Sequence, residues 1–388
     1  MFARVSTYGI AIAALLMTAC SQNETEPNTV PTEKPVAISF SFTSTQDNQA
    51  TTRGEFTDTK LRSTGFGVFA TVAGSTFPNL MYNQQVTYTY LADDAQNGYW
   101  SYSPTKYWPI QTVEENGDLK TVPQTVTFCA YAPYVAAGGA TGITGMSANT
   151  YTGSPYLDYT LSETLDETLD LLWTCYQPTE LGPIEFKMYH ALARVAVNVM
   201  VDNTNEYKTS DDQKVLISKI TLSTSTAVKT GRLKLDNTES NDAVTNHYPI
   251  WDHTWEGQIT GARTVDILNI DNSSSYGIIA EDVRYIDDLP FSWQPKGVEK
   301  DPQEKGVNAL CTGDYPQAYI YFIPNEAGLT LDCTVKYRLM EESYISDELS
   351  TTVTDIPVPS VEHVGDPLKP LRGNSTYQLI LKINPKKP

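Results

Sequence analysis

Residues that could do chemistry are few in this 388-residue chain, and they are scattered. No HExxH, GxSxG or P-loop pattern occurs. Zinc proteolysis, hydrolysis at a nucleophile elbow and nucleotide chemistry on a P-loop therefore have no sequence support. Gly138, Gly139, Gly142 and Gly145 make a Gly-rich loop, but it lacks the Lys-Ser/Thr pair and the following helix that phosphate binding needs. It reads as a surface loop. His190 lies in an apolar strand and is expected to be packed and hydrogen-bonded. His363 falls in a Pro-rich stretch, and His247 and His253 flank Trp251, with Trp255 next. If residues 251–255 are extended, Trp251, His253 and Trp255 share one face. That face is either a platform for stacking a sugar ring or part of the core, and the core is the expectation. Carboxylates are spread along the chain, so no catalytic pair stands out. No catalytic residue, metal site or cofactor is expected.

The charge is lopsided, with 27 basic against 46 acidic residues and a formal net charge of −19. Nucleic-acid binding needs clustered Lys and Arg and is argued against. The one long apolar run is Tyr8–Met17, too short to span a bilayer and preceded by a cationic start at Arg4. Residues 1–19 read as a signal peptide. Leu16-Met17-Thr18-Ala19-Cys20 resembles a bacterial lipobox, with Met17 where Leu is usual. That resemblance implies cleavage before Cys20, lipidation of its thiol and anchoring to the outer membrane. Residues 20–35 are polar, carry Pro27 and Pro31, and form the expected tether from lipid to first domain. Four cysteines follow: Cys129, Cys175, Cys311 and Cys333. Cys129 with Cys175, or Cys311 with Cys333, could bridge; sequence does not decide, and buried free thiols are the expectation.

Period-two alternation dominates what remains. Val36, Ile38, Phe40 and Phe42 share a face, as do Val195, Val197, Val199 and Val201, and the chain closes on Tyr377, Leu379, Leu381 and Ile383. Turn clusters separate these runs, which indicates β-sandwiches. One stretch has helical spacing: Leu161, Leu165, Leu169 and Leu172, with Thr164 and Glu167 placed for a capping box. A short helix is predicted there, with LDLLW readable as a strand instead. A boundary at Gly182-Pro183 divides the chain into domains at 36–182 and 183–388.

Several segments together resemble the fimbrillin family of Bacteroidales, the type V pilin superfamily. They are VAISFSF, ATTRGEF at 50–56, GFGVFATV at 65–72, GYWSYSPTKYWP at 98–109, VTFCAYAPY at 126–134, DLLWT at 170–174, FKMYHALARVAVNV at 186–199 and AYIYFIPN at 318–325. The resemblance implies an all-β fold of two transthyretin-like Greek-key sandwiches in tandem, and a role in fimbriae and adhesion. It also implies assembly with other pilin subunits by strand donation. A protease removes the first strand, and a neighbour's C-terminal strand replaces it in the exposed groove. Carried onto this chain, the resemblance implies a removable piece from Cys20 to Arg53, with Arg53 the expected cut site and Lys60 and Arg62 as further basic candidates. Tyr377, Leu379, Leu381 and Ile383 are the expected pocket-filling residues of a donor strand. Only Pro385–Pro388 follow that strand, which favours an accessory or tip subunit. The competing class is a surface glycan-binding lipoprotein using Trp251, His253 and Trp255 against a host or bacterial ligand.

Overall fold

A computed structural model describes residues 35–43, 58–73, 80–92, 94–136, 142–163, 168–202, 213–236, 247–270, 278–279, 282–283, 291–294, 319–359 and 366–383. In chain order the first elements are β1 (Phe40–Thr43), α1 (Asp58–Thr64), β2 (Phe66–Val72), β3 (Met81–Leu91), β4 (Asp94–Ser101), β5 (Ile110–Glu115), β6 (Asp118–Pro123), β7 (Val126–Ala132), β8 (Ile143–Met146), β9 (Tyr156–Thr160), β10 (Leu172–Tyr176), β11 (Ile184–Lys187) and β12 (Tyr189–His190). Then come β13 (Ala193–Asp202), β14 (Gln213–Lys234), β15 (Ile250–Trp251), β16 (Ile259–Asn269), β17 (Ile278–Ile279), β18 (Asp282–Val283), β19 (Phe291–Gln294), β20 (Tyr319–Phe322), β21 (Leu329–Glu341), β22 (Tyr344–Ile345), β23 (Leu349–Val358) and β24 (Ser375–Ile383). The chain is all-β, as the alternation predicts, with α1 the one helix among the described residues. That helix has seven residues, a length at which packing of Leu61 rather than propensity holds it.

The first sheet runs β12-β10-β7-β2-β3-β4, antiparallel throughout. Both faces of its central strands are covered. Phe66, Val68 and Ala70 of β2 and Phe128 and Ala130 of β7 point into one core, with Ile38, Phe40 and Phe186. The alternate residues Phe69, Cys129, Tyr131 and Trp173 point into a second core, with Leu157, Tyr159, Leu233, Trp251 and Tyr321. Successive side chains of a strand take opposite faces, so a doubly covered strand reads as a near-continuous apolar run. Gly67 fits this packing because the Tyr131 ring lies where its Cβ would be. The third core lies between a sheet holding β13, β20 and β24 and one holding β14, β16, β21 and β23.

Two sequence expectations change. The leucines spaced as a helix do not form one among the described residues: Leu172 opens strand β10, and Leu161 and Leu172 pack into different cores. Cys129 and Cys175 are not free thiols; they stand directly opposite each other on β7 and β10 and form a disulfide. Cys333 is free and buried, and Cys311 lies outside the described residues. Strand pairing also crosses Gly182-Pro183 in both directions. Ahead of it, β9 pairs with β14; beyond it, β11 pairs with β1 and β12 with β10.

Candidate functional site

The first strand occupies a groove built by residues from three places in the chain. The segment 36–43 alternates as expected: Ile38 and Phe40 are buried, whereas Ser39 and Ser41 face solvent. On one side β1 pairs in parallel with β11, from Phe40 opposite Ile184 to Thr43 opposite Lys187. The Ile184 amide donates to the Ser39 carbonyl at 2.8 Å. On the other side the chain at 106–108 supplies the bonds. The Ile38 amide donates to the Lys106 carbonyl and the Trp108 amide to the Val36 carbonyl, each at 2.9 Å. Tyr102 adds a hydroxyl donated to the Ile38 carbonyl at 2.8 Å. Burial raises the pKa of that phenol, so it remains a donor.

Aromatic rings line the floor. Phe40 stacks on Phe186 and meets Phe66 and Phe128 edge-on with centroids 6.2 Å away in each case, while Tyr102 tilts against it at 5.3 Å. Trp108 closes over Phe128 at 5.5 Å. Among the described strands, β11 pairs with β1 alone. If β1 left, the backbone donors and acceptors of β11 and of 106–108 would lose their partners beside an open apolar trough. Unpaired edges of this kind are costly when covered and adhesive when exposed. The arrangement therefore binds an extended chain carrying apolar side chains at alternate positions.

The groove's walls were only half legible in sequence. GYWSYSPTKYWP is legible as a motif but not as a wall, and it supplies Tyr102 and Trp108. Phe186 reads in sequence only as part of a long apolar strand. The signal that could have found it is the isolated alternation Ile184, Phe186, Met188 before His190.

Cys20 and Arg53 lie outside the described residues. Lys60 and Arg62 stand within α1, where the Arg62 guanidinium sits 4.9 Å over the Tyr88 ring. The closing strand β24 lies between β13, to which it is parallel over nine residue pairs, and β19. Leu379 and Leu381 are fully buried there, Tyr377 is half-buried, and Ile383 sits opposite Val201 in the register. β24 thus completes a sheet of its own chain.

Trp251, His253 and Trp255 do not share a face. Trp251 ends β15 in the core, its indole N–H donating to the Ala191 carbonyl at 3.0 Å. The chain then turns, with the Asp252 carboxylate accepting from the Thr254 amide and hydroxyl. Trp255 lies partly buried under the Arg232 guanidinium, which is also 3.7 Å over Tyr156. The His253 side chain is partly exposed, near Glu326. His190 behaves as sequence predicts: its Nδ1 meets the fully buried Asp170 carboxylate at 2.9–3.0 Å. Among the described residues no group of three metal-ligating side chains converges, and no helix is long and apolar enough to cross a membrane.

The fimbrillin-like family profile matches residues 52–280, more than half the chain. The chain belongs to the fimbrillin-like family. Fimbrium subunit Fim1C of Phocaeicola vulgatus is 25% identical over 416 aligned positions, covering 97% of this chain and 92% of that protein. Among solved structures, a fimbrial protein from Bacteroides vulgatus superposes with a TM-score of 0.54 at 20% identity, covering 91% of this chain and 96% of that one. At that identity the likeness speaks to the fold, which is all-β. Within this fimbrillin-like chain, the family profile spans the Tyr102–Trp108 wall and the Phe186 floor but begins after β1.

Proposed function

We propose that this chain is a structural subunit of a fimbria that takes up a strand from a neighbouring subunit in place of β1. The observation that carries the reading is the position of β1, held from both sides by segments with no other strand partner among the described residues. Its terminal location makes it removable by one cut in the following stretch. Arg53 is the favoured site, because Lys60 and Arg62 are held in α1 and proteases need extended backbone. In this reading Cys20 carries the lipid that delivers the chain to the outer membrane, and the cut releases the subunit from it.

Two patterns support a C-terminal donor. Tyr377, Leu379, Leu381 and Ile383 repeat the alternate apolar spacing of Val36, Ile38, Phe40 and Phe42. Both terminal strands also pair in parallel with an internal one, β1 with β11 and β24 with β13. Donation by this chain requires β24 to leave its own core, whereas acceptance requires only the loss of β1. That asymmetry favours an accessory or tip position, where accepting is the main act.

The test is limited trypsin treatment of the folded, delipidated mature chain, followed by a labelled peptide of residues 375–384. The first cut is expected after Arg53, and the peptide should then displace the released segment and co-elute with the body. A cut chain that holds β1 indefinitely and takes up no peptide would refute the reading.

A further inference from the structure

The β5–β6 hairpin stands apart from every sheet. Its strands pair only with each other among the described strands, and nearly every residue is exposed. An isolated two-stranded ribbon is marginal in water. Asn116 and Gly117, both at positive φ, make a tight turn at its tip. One face carries Ile110, 52% exposed, and Leu119, 61% exposed. The turn end carries Glu114, Glu115 and Asp118 against one cation, Lys120, which already pairs with Glu115. The hairpin is rooted in the groove wall: Ile110 follows Trp108 by two residues, and the Gln124 amide bonds back to the Pro109 carbonyl.

We infer that this hairpin is a second docking surface for the strand-donating subunit, gripping the segment just upstream of the donated strand. The inference rests on the strand-uptake reading above. Its geometry follows from direction. A C-terminal strand that takes over β1's parallel bonds to β11 enters at the Val36 end, so the donor's body lies at that end too. The Ala37–Tyr107 bridge is antiparallel. Extending its register along β5 sets Ile110 beside the place two residues upstream of Val36, and Glu114 beside the place six upstream. When Tyr377 of a donor like this chain takes the place of Val36, the residue six upstream is Leu371, in the sequence Leu368-Lys369-Pro370-Leu371-Arg372. On this chain Leu371 is buried and bonded to Asn325 and Arg372 pairs with Glu326, whereas Leu368 and Lys369 are exposed, and the same register sets those two beside the acidic turn at Asn116 and Gly117. An apolar and basic segment would therefore lie along an apolar and acidic ribbon. Such contacts set orientation and are weakened by salt.

Two peptides of this chain separate the two readings. The trypsin-cut mature chain is titrated with residues 375–384 and with residues 366–384, using wild-type protein and a Glu114→Lys/Glu115→Lys variant. Uptake of the short peptide tests the groove and also shows that the variant is folded. The long peptide is expected to bind wild-type protein about 3- to 10-fold more tightly than the short one, from one or two charge pairs and an apolar contact. The gain should shrink at high salt and vanish in the variant. Equal affinity of the two peptides, or a gain that survives the double substitution, overturns the hairpin's role and leaves the groove intact. Failure of the short peptide to bind overturns both. Binding of wild-type protein, but not of Ile110→Ser/Leu119→Ser, to phosphatidylethanolamine vesicles would assign the ribbon to a lipid surface and overturn the inference.

Discussion

The Phe40 ring lies against the Phe186 ring with centroids 5.5 Å apart and planes 14° from parallel. The two residues come from opposite ends of the first sheet's chain segment and meet because β1 runs parallel to β11. Phe40 also touches Phe66, Phe128 and Tyr102, so one side chain anchors β1 to four rings. Phe→Ala at a buried site costs about 3–5 kcal/mol. In a chain cut after Arg53 that loss falls on β1's hold alone. Phe40→Ala should therefore release the N-terminal segment at least about a hundredfold faster, at about 1.4 kcal/mol per tenfold. Mass spectrometry of gel-filtered fractions over time reads this. Ser41→Ala, at an exposed position, should leave retention unchanged. Equal retention in Phe40→Ala and wild-type protein would mean that the ring cluster does not hold the strand.

The Cys129–Cys175 bridge joins neighbouring strands directly behind the groove floor, since Phe128 precedes Cys129 on β7. It closes a loop with a sequence separation of 46. By loop-closure entropy, its removal should cost about 2–4 kcal/mol. Urea unfolding of Cys129→Ala/Cys175→Ala protein should show that loss as a lower midpoint with a similar slope. Non-reducing peptide mapping should recover residues 129 and 175 on one linked species. Recovery of both as free thiols from air-purified protein would contradict the bridge.

His247 gives a pH signature. Its ring stacks on Tyr189 at 4.0 Å, and its pKa is lowered, first by burial and then by the neighbouring Lys187 charge. A lowered value means the unfolded chain takes up a proton that the folded chain resists. Stability from this group is full above about pH 6.5 and declines as pH falls through the folded value, below which no more is lost. His253 is shifted the same way, mainly by burial, although Glu326 and Asp252 pull it upward. Glu348 acts at lower pH: its hydrogen bond from Lys336 depresses its pKa, so its contribution is lost only as the carboxylates protonate. His247→Asn keeps a residue type that tolerates the positive φ at this site. It should flatten the fall in stability between about pH 7 and 5 and leave the steeper acid limb in place. Urea midpoints measured across that range would show it; an unchanged slope would remove His247 from the account.

How much of this was visible in the residues follows from which faces are buried. Strands such as Leu329–Glu341 alternate cleanly because one side meets the core, and they could be read directly. At the described ends of 161–172 the strand alternative for LDLLW holds from Leu172, and Leu161 and Leu172 serve cores on opposite sides of a sheet, where apolar residues on both faces mimic helical spacing. α1 was missed because DTKLRST buries one leucine, too little for a periodic signal. The disulfide depends on strand register, which spacing along the chain does not encode. VAISFSF could be recognised as a strand, but its parallel partner 144 positions beyond Phe40 could not.

The aromatic pair at 251 and 255 gives the sugar-platform reading a graded test. Trp251 is buried, bonds Ala191 through its indole N–H and meets Tyr159 edge-on at 6.3 Å. Trp251→Ala should cost about 3–5 kcal/mol, as expected for a large buried ring. Trp255 sits under the Arg232 guanidinium, and a Cβ on Gly257 would stand 2.3 Å from its ring, so both neighbours crowd the indole. Trp255→Ala should lose a cation–π contact worth about 0.5–1 kcal/mol at an exposed site, plus some packing. On a glycan array, wild-type and Trp255→Ala protein should give the same flat response. A carbohydrate signal in the wild type that disappears in Trp255→Ala, with unfolding midpoints close to each other, would restore a ligand role to this turn.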